Sequence, residues 1–232
     1  MQAIILAGGR GTRLRAVCPD LPKVMAPVGS RPFLEILISY LASEGIESVI
    51  LSVGYRREAI IDYFGTRSGS VSISYAIEHS PLGTGGAIRA ALARISGETA
   101  LVLNGDTFLQ VDYRALIEAH RAAKTSLTIA LTQVEDASRY GSVALSGDRI
   151  VNFSEKKDAG PGIINTGVYV VDAGIFQGFD LQESFSFERD FLYRAVDVVA
   201  PRGHLVDGYF IDIGIPADYL RANTELPTRV SV

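Results

Sequence analysis

The sequence predicts an α/β fold with an open, mostly parallel sheet and helices on both of its faces. From the N-terminus to about residue 125, short apolar runs alternate with segments whose apolar residues recur at helical spacing. Parallel neighbours need a crossover connection, usually a helix, so this alternation is typical of βαβ units. After about residue 125 the apolar runs are strand-like and joined by Gly and Asp turns, which predicts a second, β-rich lobe.

The first three elements are predicted to form a βαβ unit. Residues 3–6 are a continuous apolar run that ends at a pair of glycines, as in a buried strand that enters a tight loop. Pro32 precedes the helical pattern of residues 33–43, where its fixed φ suits the first turn, and residues 48–53 form the next strand. The alternation continues with a helix over residues 57–64, a strand over 71–77, a helix over 85–95 and a strand over 99–103.

The second lobe is predicted from three strand-like segments at residues 127–131, 142–145 and 163–171. No linker, low-complexity run or internal repeat separates it from the first. We therefore expect one domain over residues 1–232, with lobes of about 1–125 and 126–232. Ligands of open α/β sheets bind beyond the carboxyl ends of the strands, so the loops after the strands are the expected functional positions.

Charge and cysteine content exclude several classes of protein. A net charge of −4 gives no whole-molecule support for binding nucleic acid. Cys18 is the only cysteine, which excludes an intrachain disulfide and a cysteine-built metal site and fits a reducing compartment. No apolar run approaches about 18 residues, and the first apolar run is shorter than the core of a signal peptide. We therefore expect a cytoplasmic protein that does not bind a membrane.

A glycine-rich loop follows the first predicted strand. Gly8, Gly9 and Gly11 let backbone N–H groups approach phosphate oxygens, and Arg10 and Arg13 offer forked, charged donors. The loop lacks the third small residue of the dinucleotide-binding pattern and the Gly-Lys-Ser/Thr of a P-loop. This spacing disfavours a nicotinamide-dependent oxidoreductase.

With the Pro22-Lys23 pair that follows, this loop resembles the signature of the sugar-phosphate nucleotidyltransferase family. Six further segments resemble motifs of that family, in its order and over nearly the whole chain: residues 81–87, 104–106, 140–141, 155–156, 165–169 and 212–214. The resemblance implies the Rossmann-like nucleotide-diphospho-sugar transferase fold, with a nucleotide-binding first lobe and a β-rich, sugar-binding second lobe. It implies an enzyme that joins a nucleoside monophosphate to a sugar 1-phosphate and releases pyrophosphate.

The expected chemistry explains two aspartates. An ionised sugar phosphate attacks the α-phosphorus of a nucleoside triphosphate, so the enzyme must mainly neutralise and position clustered anions. Asp106 and Asp212 each follow a strand-like run, so folding could bring their carboxylates together at one edge. Hard oxygen ligands suit Mg²⁺. The family resemblance assigns Mg²⁺ binding to this pair.

The resemblance also implies the other site residues. Catalytic roles fall to Arg13, Lys23 and Asp106. Nucleotide binding falls to Leu6, Ala7, Gly8, Gly9, Gly11, Thr12, Arg13, Lys23, Glu78, Pro81, Gly83, Thr84 and Asp106. Sugar-phosphate binding falls to Gly141, Glu155, Lys156, Asn165, Thr166 and Gly167. Lys157 extends the charged pair before it, so which of the two lysines holds the sugar phosphate stays open.

Glu78 predicts the base. It stands where thymidylyl relatives present a glutamine, and a carboxylate can accept hydrogen bonds from both N1–H and the N2 amino group of guanine. Uracil and thymine offer no such pair of donors, so GTP is the expected nucleotide. The glycines of residues 83–86 are expected to let the base lie against backbone.

Three segments, residues 23–28, 73–78 and 210–216, are most similar to compact bacterial members that transfer GMP to D-glycero-α-D-manno-heptose 1-phosphate for surface glycans. Transfer of GMP to mannose 1-phosphate, or of UMP to N-acetylmuramate 1-phosphate, uses the same phosphate chemistry and stays open. A non-catalytic nucleotide-sugar sensor is disfavoured because the metal and phosphate ligands are all present. His79, His120 and His204 form no metal-binding pattern and are expected to be structural or solvent-facing. A homo-oligomer is compatible with the sequence.

Overall fold

The computed structural model describes residues 1–9, 11, 14, 18, 20–154 and 160–230. Within them the strands are β1 (Gln2–Leu6), β2 (Pro27–Val28), β3 (Arg31–Pro32), β4 (Ser48–Val53), β5 (Arg67–Ser68), β6 (Val71–Ile77), β7 (Thr99–Asn104), β8 (Thr107–Leu109), β9 (Leu127–Val134), β10 (Ser142–Ser146), β11 (Arg149–Ser154), β12 (Gly162–Asp172), β13 (Arg202–Leu205) and β14 (Phe210–Asp212). The α-helices are α1 (Phe33–Ser43), α2 (Arg57–Phe64), α3 (Gly83–Leu92), α4 (Tyr113–Ala123), α5 (Tyr193–Val198) and α6 (Pro216–Arg229). A 3₁₀ turn covers Lys23–Met25, and a π-helix covers Phe187–Leu192.

One mixed sheet runs through both halves of the chain, in the order β10-β11-β13-β9-β12-β7-β1-β4-β6-β5. β1 pairs in parallel with β4 and β7, and β4 pairs in parallel with β6. β12 is antiparallel to both β7 and β9, and its ladder with β7 joins the two halves. The predicted fold class is confirmed: the first half is mostly parallel, with β5 antiparallel to β6 at the edge, and the second is β-rich and mixed.

The two faces of the sheet pack against different helices. Ala3 and Ile5 of β1 belong to a core shared with α1, α2, α4 and α6, whereas Ile4 belongs to a core shared with α3, the π-helix and α5. Successive side chains of a strand point to opposite faces of the sheet. Because both faces are covered here, Ala3, Ile4 and Ile5 of β1 are all buried and all apolar. Helices therefore cover both faces, as predicted.

Most predicted elements of the first half have the expected bounds. α1, β4, α2 and β6 match, whereas α3 starts two residues earlier than predicted and ends at Leu92. The helix α4 was not predicted, although Asp112 caps it by accepting a hydrogen bond from the Ala115 N–H at 2.9 Å. Among the residues described, no helix has both the length and the apolar character needed to cross a membrane.

Candidate active site

A cavity of about 700 Å³ lies beyond the carboxyl ends of the parallel strands. Loops that follow β1, β4, β6 and β7 form most of its wall. Its lining includes Leu6, Gly8, Gly9, Gly11, Lys23, Tyr55, Arg57, Glu78, His79, Pro81, Gly83, Thr84, Asn104 and Asp106. Most of the described residues predicted to bind the nucleotide therefore share one cavity, at the position where open α/β sheets bind ligands.

The glycine-rich loop is shaped by two close approaches. A β-carbon on Gly8 would overlap the carboxylate of Glu78, so glycine leaves room for that side chain in its observed position. Gly11 has φ +56°, and a β-carbon on it would lie 2.6 Å from Cβ of Lys23. Ala7 is buried, and its N–H donates to the Ser52 carbonyl at 2.8 Å, so Ala7 supports the loop without lining the cavity. Arg10, Thr12 and Arg13 lie outside the described residues.

Asp106 and Asp212 converge on the ammonium group of Lys23. The antiparallel pair β8–β14 brings them together, because Asp212 ends β14 opposite Thr107, and the Ile213 N–H donates to the Asp106 carbonyl at 3.0 Å. Lys23 Nζ forms an ion pair with Asp106 Oδ2 and lies 3.7 Å from Asp212 Oδ1. The Lys23 side chain is only 10% exposed.

The environment of Asp212 disfavours an isolated negative charge. Burial raises the pKa of its carboxyl group, and the nearby charge of Asp106 raises it further. Lys23 opposes this rise, as does the Gly214 N–H, which donates to Asp212 Oδ1 at 2.7 Å. The pair therefore requires a cation, a need that the ammonium group meets here.

The donor set fits a hard divalent cation. Both side chains offer carboxylate oxygens, and among the described residues no cluster of three or more His, Cys, Asp or Glu exists that would hold a metal by itself. Mg²⁺ is commonly held by one or two carboxylates, with phosphate oxygens and water as its remaining ligands. The residues present suit that mode of binding.

Glu78 is fixed on the cavity wall at the end of β6. Its Oε1 accepts from the Ser52 hydroxyl at 3.3 Å, and its Oε2 accepts from the Leu82 N–H at 3.2 Å. A carboxylate has about four lone-pair positions, so each oxygen retains acceptor capacity for a ligand. The side chain is thus held in place and still able to bind.

Two of the glycines in residues 83–86 allow close packing between α3 and another segment. A β-carbon on Gly85 would overlap the ring of Phe185, and one on Gly86 would lie 2.6 Å from the Glu183 carbonyl oxygen. These two glycines admit the segment before the π-helix, which packs on α3. Gly83, with φ +69°, does line the cavity. Thr84 also joins the two elements, since its hydroxyl donates to Glu188 Oε2 at 2.8 Å.

The predicted sugar-phosphate residues of β12 serve the strand itself. The Thr166 hydroxyl is buried and donates to the Ala130 carbonyl at 2.7 Å, so its side chain is committed within the protein. Asn165 donates from Nδ2 to the Tyr169 hydroxyl and accepts from the Gly167 N–H, both at 2.9 Å. Together they shape an irregularity in the pairing of β12 with β9. The Thr166 side chain thus supports the strand, and its assignment to sugar-phosphate binding stays a prediction.

The remaining predicted sugar-phosphate residues divide into two groups. Gly141 has φ +76°, which favours glycine, and follows a turn after β9. Glu155, Lys156 and Lys157 lie outside the described residues.

Several cavity residues were not predicted from the sequence. Tyr55 and Arg57 follow β4, His79 and Ser80 follow β6, and Asn104 ends β7. Their position relative to the predicted strands could have indicated them, because each lies at or just beyond the carboxyl end of a parallel strand. His79, expected to be structural or solvent-facing, is exposed at this wall.

A glycine-rich loop, a carboxylate pair fitted to a cation and a cavity at strand ends define a nucleotide-handling transferase site. The chain belongs to the Nucleotidyl transferase family, whose sequence profile matches residues 2–229.

Within that family the chain is similar to D-glycero-alpha-D-manno-heptose 1-phosphate guanylyltransferases. The protein from Aneurinibacillus thermoaerophilus is 47% identical over 97% of this chain and 98% of its own length. The protein from Campylobacter jejuni is 45% identical over 94% of this chain and 97% of its own length. The crystal structure of HddC from Yersinia pseudotuberculosis complexed with GMP-PN has a TM-score of 0.87 and 38% identity, and the match covers 97% of this chain and 98% of that one.

Proposed function

We propose that this enzyme transfers GMP from GTP to D-glycero-α-D-manno-heptose 1-phosphate, producing GDP-heptose and pyrophosphate. The observation that carries the proposal is the fixed carboxylate of Glu78 beside the glycine-rich loop. Its free acceptor positions match the N1–H and N2 amino donors of guanine, which are adjacent on one edge of the base. Two relatives at 45% and 47% identity carry the name of this activity, and HddC binds GMP-PN.

The chain's own residues supply most of the proposed chemistry. The sugar phosphate is already an anionic nucleophile, so the site must align it with the α-phosphorus and offset charge. Lys23 is placed to exchange its carboxylate partners for triphosphate oxygens, where it would stabilise charge that develops on the leaving pyrophosphate. Arg13, by family resemblance, has the same task.

Mg²⁺ is the proposed cofactor, held by Asp106 and Asp212. When bound, it would withdraw electron density from the phosphate oxygens and organise the leaving pyrophosphate. The two aspartates would orient it, and the cavity would limit water around the reacting groups. Because GTP is a cytoplasmic metabolite, we propose that the enzyme works in the cytoplasm.

The test is a matrix of nucleoside triphosphates against sugar 1-phosphates, read as pyrophosphate release and nucleotide-sugar mass with Mg²⁺ present. We expect GTP with the manno-heptose phosphate to be the best pair. ITP lacks the N2 amino group of guanine. Its kcat/KM should be lower than that of GTP by roughly tenfold or more, because one hydrogen bond to a charged acceptor is lost.

Matched variants make this matrix specific to the site. Asp106→Asn keeps the side-chain volume but removes a metal-binding charge, so it should abolish most turnover while melting like the wild type. Asp207→Asn, at an exposed position, is the control and should leave turnover unchanged. A large preference for UTP or dTTP would refute the guanylyl assignment, and a preference for mannose 1-phosphate would replace the sugar.

A further inference from the structure

A buried aspartate near the site has two arginine partners that come from different parts of the chain. Asp218 lies in the first turn of α6 and is 6% exposed. Arg221, on the same helix, places Nη1 3.2 Å from Asp218 Oδ1 and has a side chain that is 55% exposed. Arg139 reaches the other oxygen, Oδ2, from the turn between β9 and β10. Of these two arginines, only Arg139 comes from outside α6.

The turn that carries Arg139 leads into the proposed sugar side of the site. The N–H groups of Tyr140 and Gly141 both donate to the Ala137 carbonyl, at 3.0 and 3.2 Å, which closes the turn. Gly141 is the turn's final residue and adopts positive φ. Arg139 therefore lies two residues before Gly141, within the same closed turn.

Aromatic packing attaches the same turn to the segment that carries Asp212. The Arg139 guanidinium lies over the Tyr140 ring, 5.2 Å from its centroid. The Tyr140 ring then makes an edge contact with Phe210, with centroids 5.7 Å apart. Phe210 begins β14, and Asp212 ends it. The turn is thus fixed to both sides of Asp212, through Phe210 before it and Asp218 after it.

We propose that Arg139 is a positioning residue that couples the sugar-phosphate side of the site to the metal-binding carboxylate. By holding Asp218, Arg139 fixes the position of the turn that ends at Gly141 relative to the β14–α6 segment, which carries Asp212. An exposed ion pair would contribute little, but a buried carboxylate that loses a partner is costly and shifts its surroundings. This proposal rests on the proposed function, which assigns sugar-phosphate binding to Gly141 and metal binding to Asp212.

Arg221 provides a matched control, because it binds the same aspartate from within α6, and its second ion pair, with Glu225, also lies within that helix. We compare Arg139→Gln with Arg221→Gln, using the triphosphate and sugar 1-phosphate that the wild type uses best. Arg139→Gln should raise KM for the sugar phosphate by about tenfold or more, while KM for the triphosphate changes less than about twofold. Arg221→Gln should leave both constants within about twofold.

Two further measurements separate positioning from folding. Sugar-phosphate affinity is measured calorimetrically with a non-hydrolysable triphosphate analogue, and melting temperature is recorded for each variant. Arg139→Lys keeps the charge but loses the forked donors, so it should recover only part of the affinity. Equal effects of Arg139→Gln and Arg221→Gln on sugar-phosphate affinity would overturn the proposal, as would a loss confined to melting temperature. Because the substrates are chosen by wild-type preference, an error in the proposed sugar or base would leave this comparison valid.

Discussion

Lys23 occupies the position between two carboxylates that a divalent cation would take. Its ammonium group offsets the repulsion between Asp106 and Asp212, so the two carboxylates stay together without metal. The same ammonium group must leave when a metal binds both carboxylates. A triphosphate would give it new anionic partners, so nucleotide binding should make the carboxylate pair more available.

This exchange predicts the effect of Lys23→Met on metal binding. The variant keeps the apolar stem and removes the charge, so Mn²⁺ should bind the nucleotide-free protein at least about fivefold more tightly, since even fully solvated unit charges at 4 Å interact by about 1 kcal/mol. Free Mn²⁺ is measured by electron paramagnetic resonance. In the wild type, a non-hydrolysable GTP analogue should also tighten Mn²⁺ binding, because its triphosphate would draw the Lys23 ammonium group away from the carboxylates.

The control for this prediction is Lys124→Met, which removes the same charge at a distance. Lys124 precedes β9, which runs in the direction of β7, so it lies at the amino ends of the strands, opposite the cavity. Its Mn²⁺ binding should equal that of the wild type. Unchanged or weaker Mn²⁺ binding by Lys23→Met would show that the ammonium group does not compete with metal.

At the scale of elements, the contact between α3 and the segment before the π-helix supports the side of the cavity that is lined by Gly83 and Thr84. Gly85 and Gly86 bring that segment close, and Gly85 N–H donates to the Phe185 carbonyl at 2.9 Å. The guanidinium of Arg89 lies over the Phe185 ring, 5.0 Å from its centroid. A glycine usually lowers the stability of a helix, and here the close packing that it allows compensates for that loss.

This packing predicts that Gly85→Ala destabilises the protein in spite of alanine's better helix propensity. The new methyl group would overlap the Phe185 ring, and overpacking of this kind costs about 1–3 kcal/mol. For a chain of this size each kcal/mol lowers the melting temperature by about 2–4 °C. KM for GTP should rise as well, because Gly83 and Thr84 line the cavity. Gly97→Ala, where no atom lies within 4 Å, is the control and should melt like the wild type.

The contact also shows what local sequence patterns could predict. Periodicity located α1, β4, α2 and β6 because each has a clear apolar pattern of its own. The predicted start of α3 was two residues late. The glycines there are explained by packing on Phe185, which is about one hundred residues away in the sequence and therefore invisible to a local pattern. Likewise, Asp106 and Asp212 were predicted at strand ends, but their meeting depends on β8 and β14, which have three residues each. Pairing of such short strands is determined by tertiary contacts, so it lay beyond the reach of local pattern.

At the scale of the whole molecule, the ladder between β7 and β12 makes the two expected lobes parts of one sheet. Five residue pairs join these strands, from Val168 opposite Leu103 to Asp172 opposite Thr99. Both cores also contain residues from each half of the chain, such as Ile5 with Ile211 and Ile4 with Tyr169. We therefore propose that the two lobes are a single cooperative unit.

This proposal predicts one unfolding transition. Urea melts followed by far-ultraviolet circular dichroism, which reports on the backbone, and by near-ultraviolet tyrosine signals, which report on packing, should coincide. The chain has tyrosines in both halves, so each lobe contributes to the second signal. Two separate midpoints would show that the lobes unfold independently.

The ladder that unites the halves has a consequence for evolutionary change. Its hydrogen bonds are made by main-chain N–H and C=O groups, which every residue except proline provides alike, whereas most side chains of both strands are buried in the two cores and need to stay apolar. We therefore expect the loops of the two halves to accumulate substitutions at different rates while the buried joint between them is preserved. If the second half binds the sugar, as we propose, a lineage built on such a joint would acquire a new acceptor by altering loops beyond β9 and β12 and would inherit its phosphate chemistry unchanged.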